Sequence, residues 1–200
     1  GNIYDIMLNG DGAKGVITST SFPHLDVIAS TNDLVGAEIE LVGVMAREYQ
    51  LQKALKKIKK NYDIIIIDCP PSLSLLTLTG LVAANGVIIP MQCEYYALEG
   101  LTALIGTISR ITNRLNAELE IKGIVRTMFD PRNRLANEVS DDLVDHFGDL
   151  VFSTIIPRNV RLAEAPSYGL PIMYYDKQSR GARAHLALAG ELVKRLESGD

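Results

Sequence analysis

The sequence predicts a doubly wound, mostly parallel α/β sheet with helices on both faces. Short apolar runs rich in β-branched residues alternate along the chain with long amphipathic stretches. Two of the runs, Ile64-Ile65-Ile66-Ile67 and Gly86–Gln92, are apolar without alternation, as expected for strands buried on both faces. The links between runs and stretches are short, the signature of βαβ units, and right-handed crossovers then place helices on both faces.

The elements follow in order. Leu25–Ser30 reads as a strand. Residues 33–60 are mostly helical, because Leu51, Ala54, Leu55 and Ile58 recur at helix spacing. Ile64–Ile67 is a strand closed by Asp68 and the Pro70-Pro71 stop. Gly86–Gln92 is the next strand and Leu98–Leu115 a helix. Lys122–Phe129 is a strand, Arg134–Phe147 a helix and Val151–Pro157 a further strand. The last helix runs from about Arg180 to Leu196, with Leu188, Leu192, Val193 and Leu196 on one stripe. No repeat or linker interrupts the chain, so residues 1–200 are expected to form a single α/β domain.

Composition narrows the class. With 47% hydrophobic residues the chain can build a core, and its 16 unperiodic glycines exclude collagen-like order. No apolar run reaches the ~18–20 residues that span a bilayer, and residues 1–12 carry two aspartates and no basic region. A cytoplasmic location is the expectation. Twenty Lys and Arg against 24 Asp and Glu argue against a coat for polyanions but allow a local basic patch. Cys69 and Cys93 both flank apolar runs and read as buried free thiols. The alternative is a two-cysteine metal or iron–sulfur half-site shared across a dimer, although the sequence has no CxxC and three histidines.

In a parallel sheet the ligand crevice lies off the carboxyl ends of the strands. Function is therefore sought in Asp68–Ser72, Gln92–Tyr96, Met128–Arg134 and Pro157–Arg161. Gly10–Gly15 matches G-x-G-x-x-G, but the β-branched, proline-bearing residues after it make a poor helix, so it reads as a glycine-rich loop. Asp68 stands where a phosphate-bound Mg²⁺ would be held, directly or through water. Its plainer reading is a turn cap before the prolines; the cost of burying an unpaired carboxylate favours the metal. Asp63 reads as a turn residue. Lys53, Lys56, Lys57, Lys59 and Lys60 suit a solvated helix end facing the dipole, with DNA contact secondary.

Tyr62–Ser72, Gln92–Gly100 and Ile156–Ser167, with Ala37–Leu41, Tyr175-Asp176 and Ser179–Ala182, closely resemble the ParA/Soj chromosome- and plasmid-partitioning ATPases in collinear order. The resemblance implies a P-loop NTPase-like fold and a cycle in which ATP with Mg closes a homodimer. It also implies that the dimer binds DNA non-specifically on the nucleoid and that a ParB-type centromere-binding partner stimulates hydrolysis. Residue by residue, it makes Asp68 the acid that supports Mg²⁺ and the attacking water. It sets Met128, Pro157 and Asn159 around the adenine base, and Arg132 and Arg161 on DNA, with Arg134 and Arg158 nearby. Strand-end packing is the plainer reading of the first three, and solvated charge that of the arginines.

The family opens with a lysine-rich deviant P-loop, whereas this sequence holds no G-K-[ST]. It is expected to be the C-terminal four-fifths of such a protein, unable to hydrolyse ATP alone. The P-loop strand would lie beside the Asp68 strand, so the gap is expected to be closed by rearrangement, by a second copy, or by residues 1–8. A non-enzymatic DNA- or protein-interaction module is the alternative, and a MinD-like membrane-cycling ATPase a further one. The latter is disfavoured because the end, Leu192–Asp200, has no aromatic anchor.

Overall fold

The computed structural model describes residues 1–9 and 13–198, so Gly10, Asp11 and Gly12 of the glycine-rich loop lie outside the described residues. Two compact units emerge, Gly1–Asn85 with Arg110–Leu119, and Gly86–Ser109 with Glu120–Asp200.

The first unit is mainly helical: α1 (Ile3–Asn9), α2 (Leu34–Leu41), α3 (Gln50–Lys56) and α4 (Leu75–Ala83), with a short antiparallel pair β1 (Thr18–Ser19) and β2 (Asp26–Val27). Leu51, Ala54, Leu55 and Ile58 are buried together with Ile6, Met7, Ala37 and Leu41, so the helix-spaced stripe is the core face. Asn116 closes the C-terminus of α4: its Nδ2 donates to the carbonyls of Leu81 (3.0 Å), Val82 (3.1 Å) and Ala84 (2.7 Å). These are the carbonyls a helix leaves without intrahelical partners. At the other end, Glu38 Oε1 accepts from Leu76 N at 3.3 Å.

Two expected strands are corrected here. Of Leu25–Ser30 only Asp26 and Val27 pair. Ile64–Ile67 joins no ladder among the described residues, and Ile66 is 85% exposed. β-branching favours an extended backbone, but a strand also needs a neighbour, which composition does not specify. Residues 1–8 do not fill that role, since Ile3–Asn9 is helical.

The second unit holds β3 (Gly86–Gln92), the start of α5 (Ala97–Arg114), β4 (Glu120–Phe129), α6 (Arg134–Phe147), β5 (Val151–Pro157), α7 (Val160–Glu164), α8 (Ile172–Tyr175) and α9 (Arg180–Glu197). The strands lie in the order β3-β4-β5, all parallel. Gly86 pairs with Glu120 and Gln92 with Thr127, while Phe129 pairs with Pro157. All three strands therefore end at one edge. Asn133 caps α6 by accepting from Ala136 N, and Ser179 caps α9 by accepting from Ala182 N at 3.1 Å. Val125, Phe152 and Ile156 bury against Leu188 and Leu192 of α9. Val193, predicted on that stripe, is exposed.

Candidate functional site

Because β3, β4 and β5 are parallel, the segments that follow them converge. They form a cavity of about 240 Å³ lined by Gln92, Cys93 and Glu94 after β3, Met128, Phe129 and Asp130 at the end of β4, Asn133 and Ala136 at the start of α6, and Arg158 after β5. Met128 is 42% exposed and adopts a left-handed backbone with φ +53°. The β4–β5 register shifts beside it, between Arg126 and Phe129. A non-glycine residue held in that region is strained by roughly 1–2 kcal/mol, and such strain collects at ligand sites.

Pro157 ends β5 opposite Phe129, and Arg158 N donates to Phe129 O at 3.0 Å. The cavity wall thus includes Met128 and Arg158, while Pro157 and Asn159 flank Arg158 without lining it. Asn159 Oδ1 is buried and accepts no hydrogen bond among the described residues. Leaving a buried acceptor unpaired costs on the order of 1–3 kcal/mol, so this atom is suited to a ligand donor. The guanidinium of Arg158 has no hydrogen bond or ion pair among the described residues, yet its charge helps hold Asp130 ionised.

The two arginines expected on DNA are both paired. Arg132 is 88% exposed along its side chain and grips Asp130 with Nε (2.9 Å to Oδ1) and Nη2 (2.7 Å to Oδ2). These hydrogen bonds, with one from Arg132 N, bring the Asp130 carboxyl down to about 2. Arg161 Nη1 meets Glu164 Oε2 at 2.9 Å, and its Nε lies 3.6 Å from Asp176 Oδ2. Tyr175 donates its hydroxyl to the same Glu164 oxygen at 3.0 Å. Arg134 pairs with Glu138 along α6.

Asp68 belongs to the first unit. It is exposed and makes no hydrogen bond or ion pair among the described residues. The burial cost that favoured metal over turn cap therefore does not operate; what remains is a free carboxylate. Cys69, expected buried, is exposed, while Cys93 is buried. Burial pushes the Cys93 thiol up, and the nearby Arg126 opposes it. No group of three or more His, Cys, Asp or Glu side chains that could hold a metal occurs among the described residues.

Arg126 was missed by sequence reasoning, which treats strand arginines as solvent-facing. It is buried in β4, its Nη1 donating to Ser140 Oγ and its Nη2 to Phe152 O, both at 2.9 Å, with Nε unpartnered among the described residues. The signal was its place inside the apolar run Ile124–Phe129.

The profile of the AAA domain family matches residues 1–121. The chain is 50% identical over 191 residues to the sporulation initiation inhibitor protein Soj of Bacillus subtilis, covering 96% of this chain and 76% of that one. It is 51% identical over 193 residues to the chromosome-partitioning ATPase Soj of Treponema pallidum, again covering 96% and 76%. This chain belongs to the ParA/Soj family of chromosome-partitioning ATPases. Its fold is P-loop NTPase-like. A crystal structure of cobyrinic acid a,c-diamide synthase from Mycobacterium smegmatis, holding an ATP analogue and magnesium, superposes with a TM-score of 0.82 at 32% identity over 100% of this chain and 74% of that one. The ParA/Soj chain thus shares its fold with a protein that holds an ATP analogue. Among the described residues, no helix is long and apolar enough to cross a membrane.

Proposed function

We propose that this chain serves chromosome or plasmid partitioning by taking ATP with Mg²⁺ against the strand-end crevice, closing a homodimer and binding DNA non-specifically. A ParB-type centromere-binding protein is the partner that stimulates hydrolysis, and the setting is cytoplasmic, on the nucleoid. The observation that carries the nucleotide reading is the buried, unpartnered Asn159 Oδ1 next to the crevice. An acceptor there suits the amino group of adenine and opposes the carbonyl that guanine carries at the same place. Met128 and Pro157 supply apolar and backbone surface for the base. The free Asp68 carboxylate suits Mg²⁺, which typically takes one or two carboxylates and leaves its other positions to phosphate oxygens and water. The sequence has no G-K-[ST] lysine, so weak nucleotide binding and no hydrolysis are expected of these 200 residues by themselves.

Arg132 and Arg161 are the proposed phosphate contacts on DNA. Both stand exposed at the edge where the strands end, which supports that role. The test of the nucleotide reading is a titration with fluorescent ATP and GTP analogues in Mg²⁺. Asn159→Ala should weaken ATP by roughly two- to tenfold, the worth of one neutral hydrogen bond, and leave GTP unchanged. Equal effects on both nucleotides, or none, would sink the assignment.

A further inference from the structure

We infer that Glu164 and Asp130 set the DNA affinity of this surface by clamping its arginines in ion pairs that a phosphate must displace. The inference rests on reading Arg161 and Arg132 as DNA contacts and names what regulates them.

Arg161 sits between two carboxylates, Glu164 at 2.9 Å and Asp176 at 3.6 Å, so one cation faces two anions. Glu164 is itself fixed, because Tyr175 donates to the same oxygen at 3.0 Å and Tyr175 packs on Tyr168 with ring centroids 4.9 Å apart. At Arg132 the arrangement recurs independently: the Nε and Nη2 fork is occupied by both oxygens of Asp130. The fork is the geometry by which arginine grips a phosphate in bidentate fashion. Both side chains remain exposed, 54% for Arg161 and 88% for Arg132, so a phosphate can reach them while they are paired.

DNA binding is then an exchange of carboxylate for phosphate. Exposed pairs of this kind are weak, so the clamp lowers affinity without abolishing it. The carboxylates also reduce the charge that drives counterion release. A surface tuned this way holds DNA loosely and lets go readily. Glu164 is the sharper case, because Tyr175 keeps its carboxylate in place when the arginine leaves.

The test is fluorescence anisotropy of a labelled mixed-sequence duplex titrated with the 200-residue chain, with ATP and Mg²⁺ in saturating excess, at salt concentrations from about 50 to 200 mM. Glu164→Gln keeps an acceptor for Tyr175 and removes the charge. It should tighten binding about two- to fivefold, the range in which exposed ion pairs act, and steepen the salt slope by up to ~0.9. Asp130→Asn should act in the same direction. Arg161→Ala should weaken binding, and in the double variant with Glu164→Gln the gain should disappear. If Arg161→Ala weakens binding but Glu164→Gln leaves it unchanged or weakens it, the clamp is overturned and the DNA reading stands. A gain that persists without Arg161 also overturns the clamp, reducing Glu164 to a general repulsive charge. If the unsubstituted chain ignores the duplex, or Arg161→Ala changes nothing, the DNA reading fails and takes the clamp with it.

Discussion

Glu191 on α9 accepts the backbone N–H groups of Ser153 at 2.7 Å and Thr154 at 2.9 Å, one with each carboxylate oxygen. β5 is an outer strand of β3-β4-β5, and its outward-facing groups need partners. A single side chain on the terminal helix supplies them. Arg195, one turn on, donates to Val151 O at 3.0 Å and lies 4.0 Å over the Phe152 ring. The helix is fastened to the strand by both residues. Glu191→Ala should therefore destabilise the protein by about 1.5–3 kcal/mol, the usual worth of hydrogen bonds to a charged group. Urea unfolding would check this, and a change below a few tenths would refute it.

The same carboxyl should make stability depend on pH. Burial by itself raises its pKa, but the bonds from Thr154 and Ser153 and the charge of Arg195 outweigh that and leave it below the ordinary range. A folded value below the unfolded one means the stabilisation is present above the unfolded pKa, about 4.3, and is lost as pH falls through the folded value. The wild type should lose stability faster than Glu191→Gln as pH drops below about 5. Parallel urea midpoints for the two proteins across that range would contradict the claim.

Gly123 has no room for a side chain. A Cβ there would run into the Phe152 ring and lie 2.9 Å from Arg195 Nη1. Both neighbours are the groups that seat α9, so neither can yield freely. Gly123→Ala should cost roughly 1–3 kcal/mol by overpacking. A thermal scan showing an unchanged midpoint would count against this packing.

Asn116 is a test of the first unit. The carbonyls of Leu81 and Ala84 at the end of α4 depend on its amide, while Val82 O also accepts from Gln52 Nε2 at 3.1 Å. Asn116→Asp keeps the shape but sets an anion against those oxygens. It should be more harmful than Asn116→Leu, which costs on the order of 1–3 kcal/mol by taking the donor from the Leu81 and Ala84 carbonyls. The reverse order in denaturation midpoints would show that volume, not hydrogen bonding, governs the position.

Asp130 reports on Arg132. With its pKa near 2 it should titrate well below the ordinary aspartate value of about 3.9 in an NMR pH series. Arg132→Ala should return it toward the ordinary aspartate value of about 3.9, held down only by the backbone N–H at position 132, which the substitution keeps, and by the charge of Arg158. An Asp130 resonance that titrates near 2 in both proteins would remove Arg132 as the cause.

Which of these features were legible beforehand follows from physics. Gly86–Gln92, Arg134–Phe147 and Val151–Pro157 match the observed bounds because proline, glycine and capping Asn133 punctuate them locally. The strand-end position of Met128 and Arg158 was readable from the parallel pattern alone. The left-handed backbone of Met128 was not, since it arises where β4 and β5 lose register. Likewise the partners Asp130 and Glu164 stand two and three residues from their arginines, but spacing says nothing about whether a loop turns them together. Arg126 drew no reading from the sequence; the packing of α6 and β5 around it makes it a buried donor.

By itself the sequence determined the family, the order of strands and helices in the second unit, and the edge at which the cavity opens, because these depend on local propensity and collinear motifs. Tertiary structure decided the rest. Among the described residues it left Ile64–Ile67 without a ladder and Asn159 Oδ1 without a donor, placed Asp68 in solvent and put Arg132 and Arg161 each beside a carboxylate. Each of these depends on which groups meet across space, and hydrogen bonding, burial and charge pairing are properties of such meetings, not of residues taken singly.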